Sequence, residues 1–510
     1  MTIVDASRSR GDAADAECMR QRLVEGRQYL IEGSGAVEGT STIALLSELA
    51  YSIWNDPTES RVWLAFVVVS GAMPTADELL LLQRRLRAGN ASDAFLTVME
   101  CCLPAACREG GASRRIRIVA DKPIVDTDFC ARYGHNTGIQ RVVRETLTRW
   151  VGDSRDFELA VWTEYGSMMR MASDAERALV LNWTSDMRHI RPGAHDLEDT
   201  TTIVPWRTTV VLPEVPNSRV THELAALARY SGNFVAAVGY DTIPLLSADL
   251  VQVSASNQFS QYLSVIKHVD RVLAISDSAA REFEGFASAV RVQGIKGPSV
   301  QSVALPVDSV TVGGVSPSVD KTGAASDRPV VLSVGTREFR KNQTTLLVAA
   351  ELLWRDGLDF ELVFVGGDAI PLSGDFREVL ANLKRKKRPI TILLNASDEL
   401  LLEAYGRARF SVFVSLHEGY GLPVGESLAH GKPVLASNYG SVGDIADGGG
   451  CLMVDPRDIE AVRTGMRRLL TDDELLESLR QEISRRPVRS WDDYAGALWN
   501  AAVLPTGEAA

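Results

Sequence analysis

The sequence predicts an α/β fold: two doubly wound lobes of mostly parallel sheet, preceded by a helical region. Three observations predict it. Short apolar runs alternate with helical patterns in two long stretches, from about residue 115 onward and again from 329. Between them, residues 313–328, GGVSPSVDKTGAASDR, have the Gly-, Ser- and Pro-rich composition of a linker. Before them, residues 1–112 carry mostly helical spacing. At 510 residues the chain is also too long for one ordinary core, so two or three domains are expected. The division is 1–112, helical; 113–316, first lobe; 327–485, second lobe; and 486–510, a C-terminal helix and tail.

In the first region, Thr40–Trp54, Glu59–Ser70 and Thr75–Arg87 place apolar residues at helical spacing, punctuated by Pro57, Gly71, Pro74 and Gly89. Asp77 or Thr75 caps the third helix. The apolar run Val62–Met73 contains Ser70 and Gly71 and fits a buried helix. The first lobe reads as strands at Arg117–Val125, Glu158–Trp162, Thr208–Leu212, Phe234–Val238 and Arg271–Ile275, with a helix at Thr137–Trp150. In the second lobe, strands are expected at Pro329–Val334, Phe360–Val365, Ile390–Leu394, Phe410–Val414 and Pro433–Ala436. Helices are expected at Asn342–Arg355, Ser397–Ala408 and Glu426–His430, and a last one at Trp491–Val503. Ligands of such sheets bind beyond the carboxyl ends of the strands.

Composition narrows the function. Apolar content of 45% and charged content of 24% are globular values. The net charge of −12 argues against nucleic-acid binding, which needs a basic face. Six cysteines form no disulfide framework, and Cys101, Cys102 and Cys107 read as buried thiols in a reducing cytoplasm. MTIVDASRSRGDAADAE does not read as a signal peptide, and no run approaches the ~18–20 apolar residues of a membrane span.

The densest chemistry lies in Ser415–Pro433, SLHEGYGLPVGESLAHGKP, after a buried strand. Glycines let backbone N–H groups approach a ligand, and a helix start favours phosphate. Glu418 and Glu426 flank Gly419, Tyr420, Gly421 and Leu422, and carboxylates accept hydrogen bonds from hydroxyls. Phosphate and hydroxyls together suggest a nucleotide sugar. A second turn, GTREFRKNQ, follows Val334. Gly335 allows the tight turn, while Arg340 and Lys341 enter a helix whose dipole they oppose, so a local anion explains them.

The ordered set of Gly335, Arg340-Lys341-Asn342, Gly366-Gly367 and Glu418 to Glu426 resembles the donor domain of retaining glycosyltransferases of family 4 (group 1), which have the GT-B architecture of two Rossmann-like lobes. The match runs from about Val331 to Leu470. The segment HNTGIQRVVRE, His135–Glu145, resembles members with Thr-Gly-Ile-Gln-Arg-Val after the first strand. Residues 1–112 then become a helical appendage for docking or interaction, with a peripheral membrane or protein contact at the inner face of the membrane.

The resemblance implies roles. Arg340 and Lys341 hold the donor diphosphate, and Glu418 orients the transferred sugar. Backbone N–H groups of Tyr420, Gly421 and Leu422 approach sugar and phosphate, and Glu426 grips the ribose. Gly138 lets its loop approach the cleft, whereas Arg141 and Arg144 either reach it or lie on the solvent face. Tyr240 and Asp241 stand where many members have His-Asp. Ser276 and Ser278 cap the helix after Arg271–Ile275, and the base lies near Leu393–Asn395. His417 and His430 read as satisfied histidines. Asp126-Thr127-Asp128 mimics a metal-binding pair, but no metal and no cofactor beyond the nucleotide sugar is expected. The implied activity moves a hexose, mannose by analogy, from a GDP- or UDP-linked donor to a glycan or lipid-linked acceptor in surface polysaccharide or lipopolysaccharide synthesis. Alternatives are a sugar-nucleotide epimerase and a non-catalytic scaffold.

Overall fold

In the computed structural model, residues 3–31, 39–136, 138–190, 202–306, 328–368, 374–394, 396–487 and 489–503 are described. The linker at 313–327, Thr137 and Asn395 lie outside them. Among the described residues, one sheet has nine strands. In chain order these are β1 Ile116–Val119, β2 Ile124–Asp126, β3 Glu158–Trp162, β4 Met169–Met171, β5 Thr202–Pro205, β6 Thr209–Leu212, β7 Phe234–Gly239, β8 Arg271–Ala274 and β9 Ser299–Ser302. Their spatial order is β1-β5-β4-β3-β2-β6-β7-β8-β9, with β4 antiparallel to both neighbours. A second sheet holds β10 Val330–Val334, β11 Glu361–Val365, β12 Ile390–Leu393, β13 Ala408–Phe413, β14 Val434–Ser437 and β15 Cys451–Val454. It is ordered β12-β11-β10-β13-β14-β15, with parallel pairing throughout.

The run expected as one strand, Arg117–Val125, is two. Pro123 lacks the N–H a continuous ladder requires. The chain breaks there, so β1 pairs with β5 at the sheet edge while β2 sits between β3 and β6. Asp126 therefore ends the second strand, not the first, and Asp128 follows it.

The N-terminal helices do not form a separate appendage. The long helix Ile3–Leu30 lies against β1, which is an edge strand with unpaired backbone groups. Gln21 donates from Nε2 to the Ile116 carbonyl at 2.8 Å and accepts from the Ile116 N–H at 3.2 Å. Glu25 accepts from the Ile118 N–H at 3.1 Å. Arg22 is buried and donates to carbonyls of Val68, Val69, Ala112 and Arg114 at 2.6–3.2 Å. Val68 and Val69 end the helix Glu59–Ser70, where carbonyls lack helical partners. Burial lowers the Arg22 pKa to about 10, offset in part by Cys18 and Asp15. One apolar cluster runs from Leu23 and Leu49 through Val62–Val69 to Ile118, Val210, Val235 and Phe283. Residue 112 thus marks a change of element type inside a continuous core.

Val62–Ser70 is buried throughout, as a core helix requires. Thr75, not Asp77, caps Ala76–Ala88, forming a capping box with Glu78. Ser276 caps Asp277–Val292, accepting from the Ala279 N–H at 3.0 Å, whereas Ser278 falls inside that helix and is not a cap. Cys101 and Cys102 are buried, but Cys107 is exposed. The last helix, Trp491–Ala502, crosses back to the first lobe: Trp150 Nε1 donates to the Ala495 carbonyl at 2.8 Å, and Trp150 and Trp499 meet edge to face at 5.0 Å.

Candidate active site

Each sheet reverses its strand order once. In the second, the chain winds outward from β10 to β12, then returns to β13 beside β10. The loops after β10 and β13 therefore come together at the carboxyl ends of the two central strands, where sheets of this kind bind ligands. These two loops carry the basic and acidic residues singled out above.

The β10 loop is shaped by backbone constraints. Gly335 has φ +136° and Gly366, at the end of β11, has φ +146°. A Cβ on Gly366 would stand 2.3 Å from the Gly335 carbonyl oxygen, so only glycine lets the two strand ends meet. A short turn at Phe339–Lys341 leads to Asn342 at φ +55°, preceding the helix Gln343–Arg355. Asn342 Nδ2 donates to the carbonyls of Val414 and Pro456 at 3.1 and 2.7 Å. The Leu416 N–H donates to the Arg340 carbonyl at 2.9 Å. The two loops are thereby tied together.

Their side chains converge. Glu418 Oε1 lies 2.5 Å from Lys341 Nζ, and Oε2 lies 2.7 Å from Arg340 Nη1. Arg340 also donates to the His417 carbonyl at 2.7 Å and to Glu338 at 2.5 Å. Lys341 Nζ sits 4.9 Å from the centre of the Phe413 ring. The Glu418 side chain is only 9% exposed. Burial pushes its carboxyl up, but Lys341 and Arg340 outweigh this and hold it at about 2. The Arg340 pKa is raised: burial opposes its charge, and Glu418 and Glu338 more than compensate.

Gly419 is pressed against the first lobe. A Cβ there would lie 2.5 Å from the Tyr240 carbonyl oxygen and 3.2 Å from Asp241 Oδ2. Ser276 Oγ of the first lobe donates to the Gly419 carbonyl at 2.7 Å, and Tyr420 Oη donates to the Leu305 carbonyl at 2.7 Å. Gly421 has φ +108° and precedes a helix that starts at Leu422, not at Glu426 as expected, and runs to Ala429. Pro423 in its first turn is the reason: proline needs no N–H there and its φ is already helical.

Glu426 lies in this helix and is buried. It accepts from Arg141 Nη1 at 2.8 Å and Tyr405 Oη at 3.0 Å. Arg141 therefore crosses from the first lobe into the cleft, and Gly138 faces Leu422, 3.6 Å from where a Cβ would stand. Arg144 does neither of the things the sequence offered. It is buried and donates to the His135, Tyr133 and Leu179 carbonyls at 2.9–3.0 Å, holding the loop before its helix. His417 bridges Ser247 Oγ and Glu282 Oε1 of the first lobe at 2.8 Å each. His430 lies beside the Tyr405 ring at 5.0 Å, and burial lowers its pKa. Leu394 is exposed.

The first sheet has its own reversal, between β2 and β6. A cavity of about 640 Å³ opens there. It is lined in part by Asp126, Asp128, Glu214, Arg219, Tyr240 and Asp241. Asp128 is ion-paired to Arg132 at 2.9 Å and to Arg219 at 2.6 Å. Asp126 accepts from Trp162 Nε1 at 2.9 Å, and Glu214 from the N–H groups of Phe129 and Cys130 at 2.7 and 2.8 Å. Burial first, then Asp128, pushes Asp126 up to about 7; burial likewise pushes Glu214 to about 7 against its hydrogen bonds from Cys130 and Phe129. Tyr240 Oη donates to the Pro213 carbonyl at 2.7 Å, so its hydroxyl serves this lobe. Glu214 was missed from sequence, although Leu212-Pro213-Glu214 repeats the strand-end carboxylate seen at Asp126.

Two doubly wound lobes with charged loops at the carboxyl ends of their strands define a class of two-lobed α/β proteins. The structure of Anabaena HepE in complex with UDP-glucose aligns over 74% of this chain and 99% of that one, with a TM-score of 0.50 at 13% identity, a likeness of fold. Residues 317–486 match the family described as glycosyl transferases group 1, and the chain carries a domain of that family, of GT-B fold. The serotype-specific mannosyltransferase WbdA of Escherichia coli is 29% identical over 335 residues, 64% of this chain and 38% of that protein. The O-antigen chain mannosyltransferase B of Escherichia coli is 30% identical over 175 residues, 34% of this chain and 45% of that one. The chain spans about two fifths of the length of the WbdA relatives it matches, at 38% and 40%. No described helix is long and apolar enough to cross a membrane.

Proposed function

We propose that this chain is a retaining glycosyltransferase that moves a hexose, mannose by similarity to the relatives above, from a nucleotide sugar to a saccharide or lipid-linked saccharide of a surface polysaccharide. One observation carries it: Arg340 and Lys341, on one strand–helix junction, meet Glu418, on another, at 2.7 and 2.5 Å. A buried carboxylate held by two cations is a preformed anion site with a hydroxyl acceptor beside it. The donor diphosphate takes up the cations, and Glu418 turns to sugar hydroxyls. Glu426, held now by Arg141 and Tyr405, is the acceptor for the ribose hydroxyls.

In the reaction, the bond from the anomeric carbon to the diphosphate oxygen breaks, and negative charge grows on the diphosphate. Arg340 and Lys341 stabilise that charge, in a site where little water competes. The acceptor oxygen bonds to the anomeric carbon on the face the diphosphate leaves, and its proton passes to the departing phosphate oxygen. Ser276, Asp241 and Tyr420 keep the lobes close around the sugar. No metal takes part in this scheme.

The test is a thermal-shift screen of the full chain against GDP-, UDP-, ADP- and dTDP-sugars, followed by product analysis with a mannoside acceptor. A stabilising GDP- or UDP-sugar and a new glycosidic product are expected. Conversion of the nucleotide sugar without an acceptor would make the chain an epimerase. Absence of any nucleotide-sugar binding would make it a scaffold.

A further inference from the structure

Glu418 and Glu426 flank the same turn, but their counter-charges come from different parts of the molecule. Glu418 is paired to Arg340 and Lys341 of its own lobe. Glu426 is paired to Arg141, on the first-lobe helix Gly138–Gly152. Among the described residues no other cation pairs with it. The contact is shielded: the Arg141 side chain is 16% exposed and that of Glu426 11%. The second lobe therefore carries a buried carboxylate that acquires its counter-charge only where the two lobes meet. An ion pair that merely fastened the lobes together would not need such burial. Arg281 and Asp444 also join the two lobes, at 3.0 Å, with the Arg281 side chain 61% exposed.

Arg141 and Glu426 are both held in orientation. The Arg141 guanidinium lies 5.7 Å from the centre of the Trp491 ring, on the helix that crosses back to the first lobe. Tyr405 Oη donates to Glu426 from the second lobe, at 3.0 Å. Burial, then Glu426, pushes the Tyr405 phenol well up, so it keeps the proton it donates. Each carboxylate oxygen thus has its own partner, Arg141 on Oε1 and Tyr405 on Oε2. An ionised carboxylate offers about four lone-pair sites, so each oxygen keeps one of them for a further donor. Two fixed acceptors side by side match the two adjacent hydroxyls of a ribose.

We infer that Arg141 is a positioning residue for nucleotide recognition: it fixes Glu426 from across the lobe junction and so makes the reading of ribose conditional on the approach of the first lobe. The inference rests on the ribose reading of Glu426 given above and adds a first-lobe residue to it. Arg141 acts on the ribose through a carboxylate, not on the phosphates, which sets its role apart from that of Arg340 and Lys341. A nucleotide without a 2′-hydroxyl leaves one acceptor of a buried carboxylate unpaired, and a site of this kind rejects it. Without Arg141 the carboxylate loses one of its two supports, and both acceptor positions lose their aim.

The experiment is calorimetric titration of the full chain with GDP and UDP and with their 2′-deoxy forms. The parent should bind the ribose form of its nucleotide at least about 10-fold more tightly than the deoxy form, the worth of a hydrogen bond to a charged group. Arg141→Met keeps the length of the side chain and removes its charge. It should cut that preference to under about 3-fold, by weakening the ribose form and changing the deoxy form by less than about 2-fold. Arg141→Gln still donates to Glu426 and covers the case in which the Met variant does not fold; it should lower the preference by about 2-fold or more. A purely structural tie between lobes weakens both forms alike, so an unchanged ratio in whichever variant folds would overturn the inference. So would a parent that binds both forms equally, or tighter ribose binding in Arg141→Met, which would make Arg141 a competitor for Glu426. A parent that binds no nucleoside diphosphate at all would remove the donor reading, and this inference with it.

Discussion

The two strand-order reversals of this molecule are built on the same geometry and opposite chemistry. At the second-lobe crevice, one carboxylate is gripped by two cations from a neighbouring loop, at 2.5 and 2.7 Å. In the first-lobe cavity, two cations converge on Asp128, and Asp126 and Glu214 accept from N–H donors. The first arrangement is a set of charges that a diphosphate can repartition. The second likewise gathers two cations on one carboxylate, but burial raises the carboxyl groups beside it.

The largest break in this comparison should come from outside both sites. Deleting residues 1–112 strips the cover from edge strand β1 and removes Leu23, Leu49 and Val62–Val69 from the core that also holds Val210 and Phe283. The first lobe should fail to fold, read as loss of its near-UV circular dichroism and rapid proteolysis. A soluble, protease-resistant truncation that still binds nucleotide would show the helices to be dispensable.

Next comes Glu418→Ala, which leaves Arg340 and Lys341 without their shared partner. Transfer should fall by about 100-fold or more, the scale of losing one electrostatic contact to a transition state. The far-UV spectrum should be unchanged. Near-normal turnover would remove Glu418 from the site. Lys341→Ala should do less. Nucleoside-diphosphate binding should weaken by ~1.5–3 kcal/mol, the usual worth of a hydrogen bond to a charged group. Calorimetry that found unchanged affinity would contradict the diphosphate assignment.

The second lobe was readable because its strands are central, buried and parallel, and so appear as continuous apolar runs ending in glycine turns. Gly335, Arg340-Lys341-Asn342 and Glu418 stand in the order the crevice requires. The first lobe was less readable because its constraints come from distant chain. Pro123 splits an apolar stretch that otherwise looks continuous. β1 and β5 are short strands of four residues each that pair with one another across a long stretch of the lobe's sequence. Arg144 looks amphipathic on its helix but is taken inward by carbonyls of the preceding loop.

The smallest effect separates the two reversals by the sign of their pH dependence. Glu418 is held at about 2 against an ordinary 4.5, so its ionised form stabilises the folded state fully above about pH 4.5 and that stabilisation is lost as pH falls toward 2. Asp126 is pushed to about 7 from an ordinary 3.8, chiefly by burial and Asp128, so the folded state holds its proton more tightly than the unfolded chain and loses stability as pH rises from about 4 to 7. In Glu418→Gln, the melting-temperature deficit relative to the parent should be constant from about pH 5 to 8 and shrink below pH 4.5. In Asp126→Asn, which keeps an acceptor for Trp162 Nε1, the melting temperature should gain on the parent as pH rises from about 4 to 7. Parallel slopes for the two variants would mean that the carboxylates of the crevice and of the cavity feel the same environment, and that the chemical contrast between the two reversals is not real.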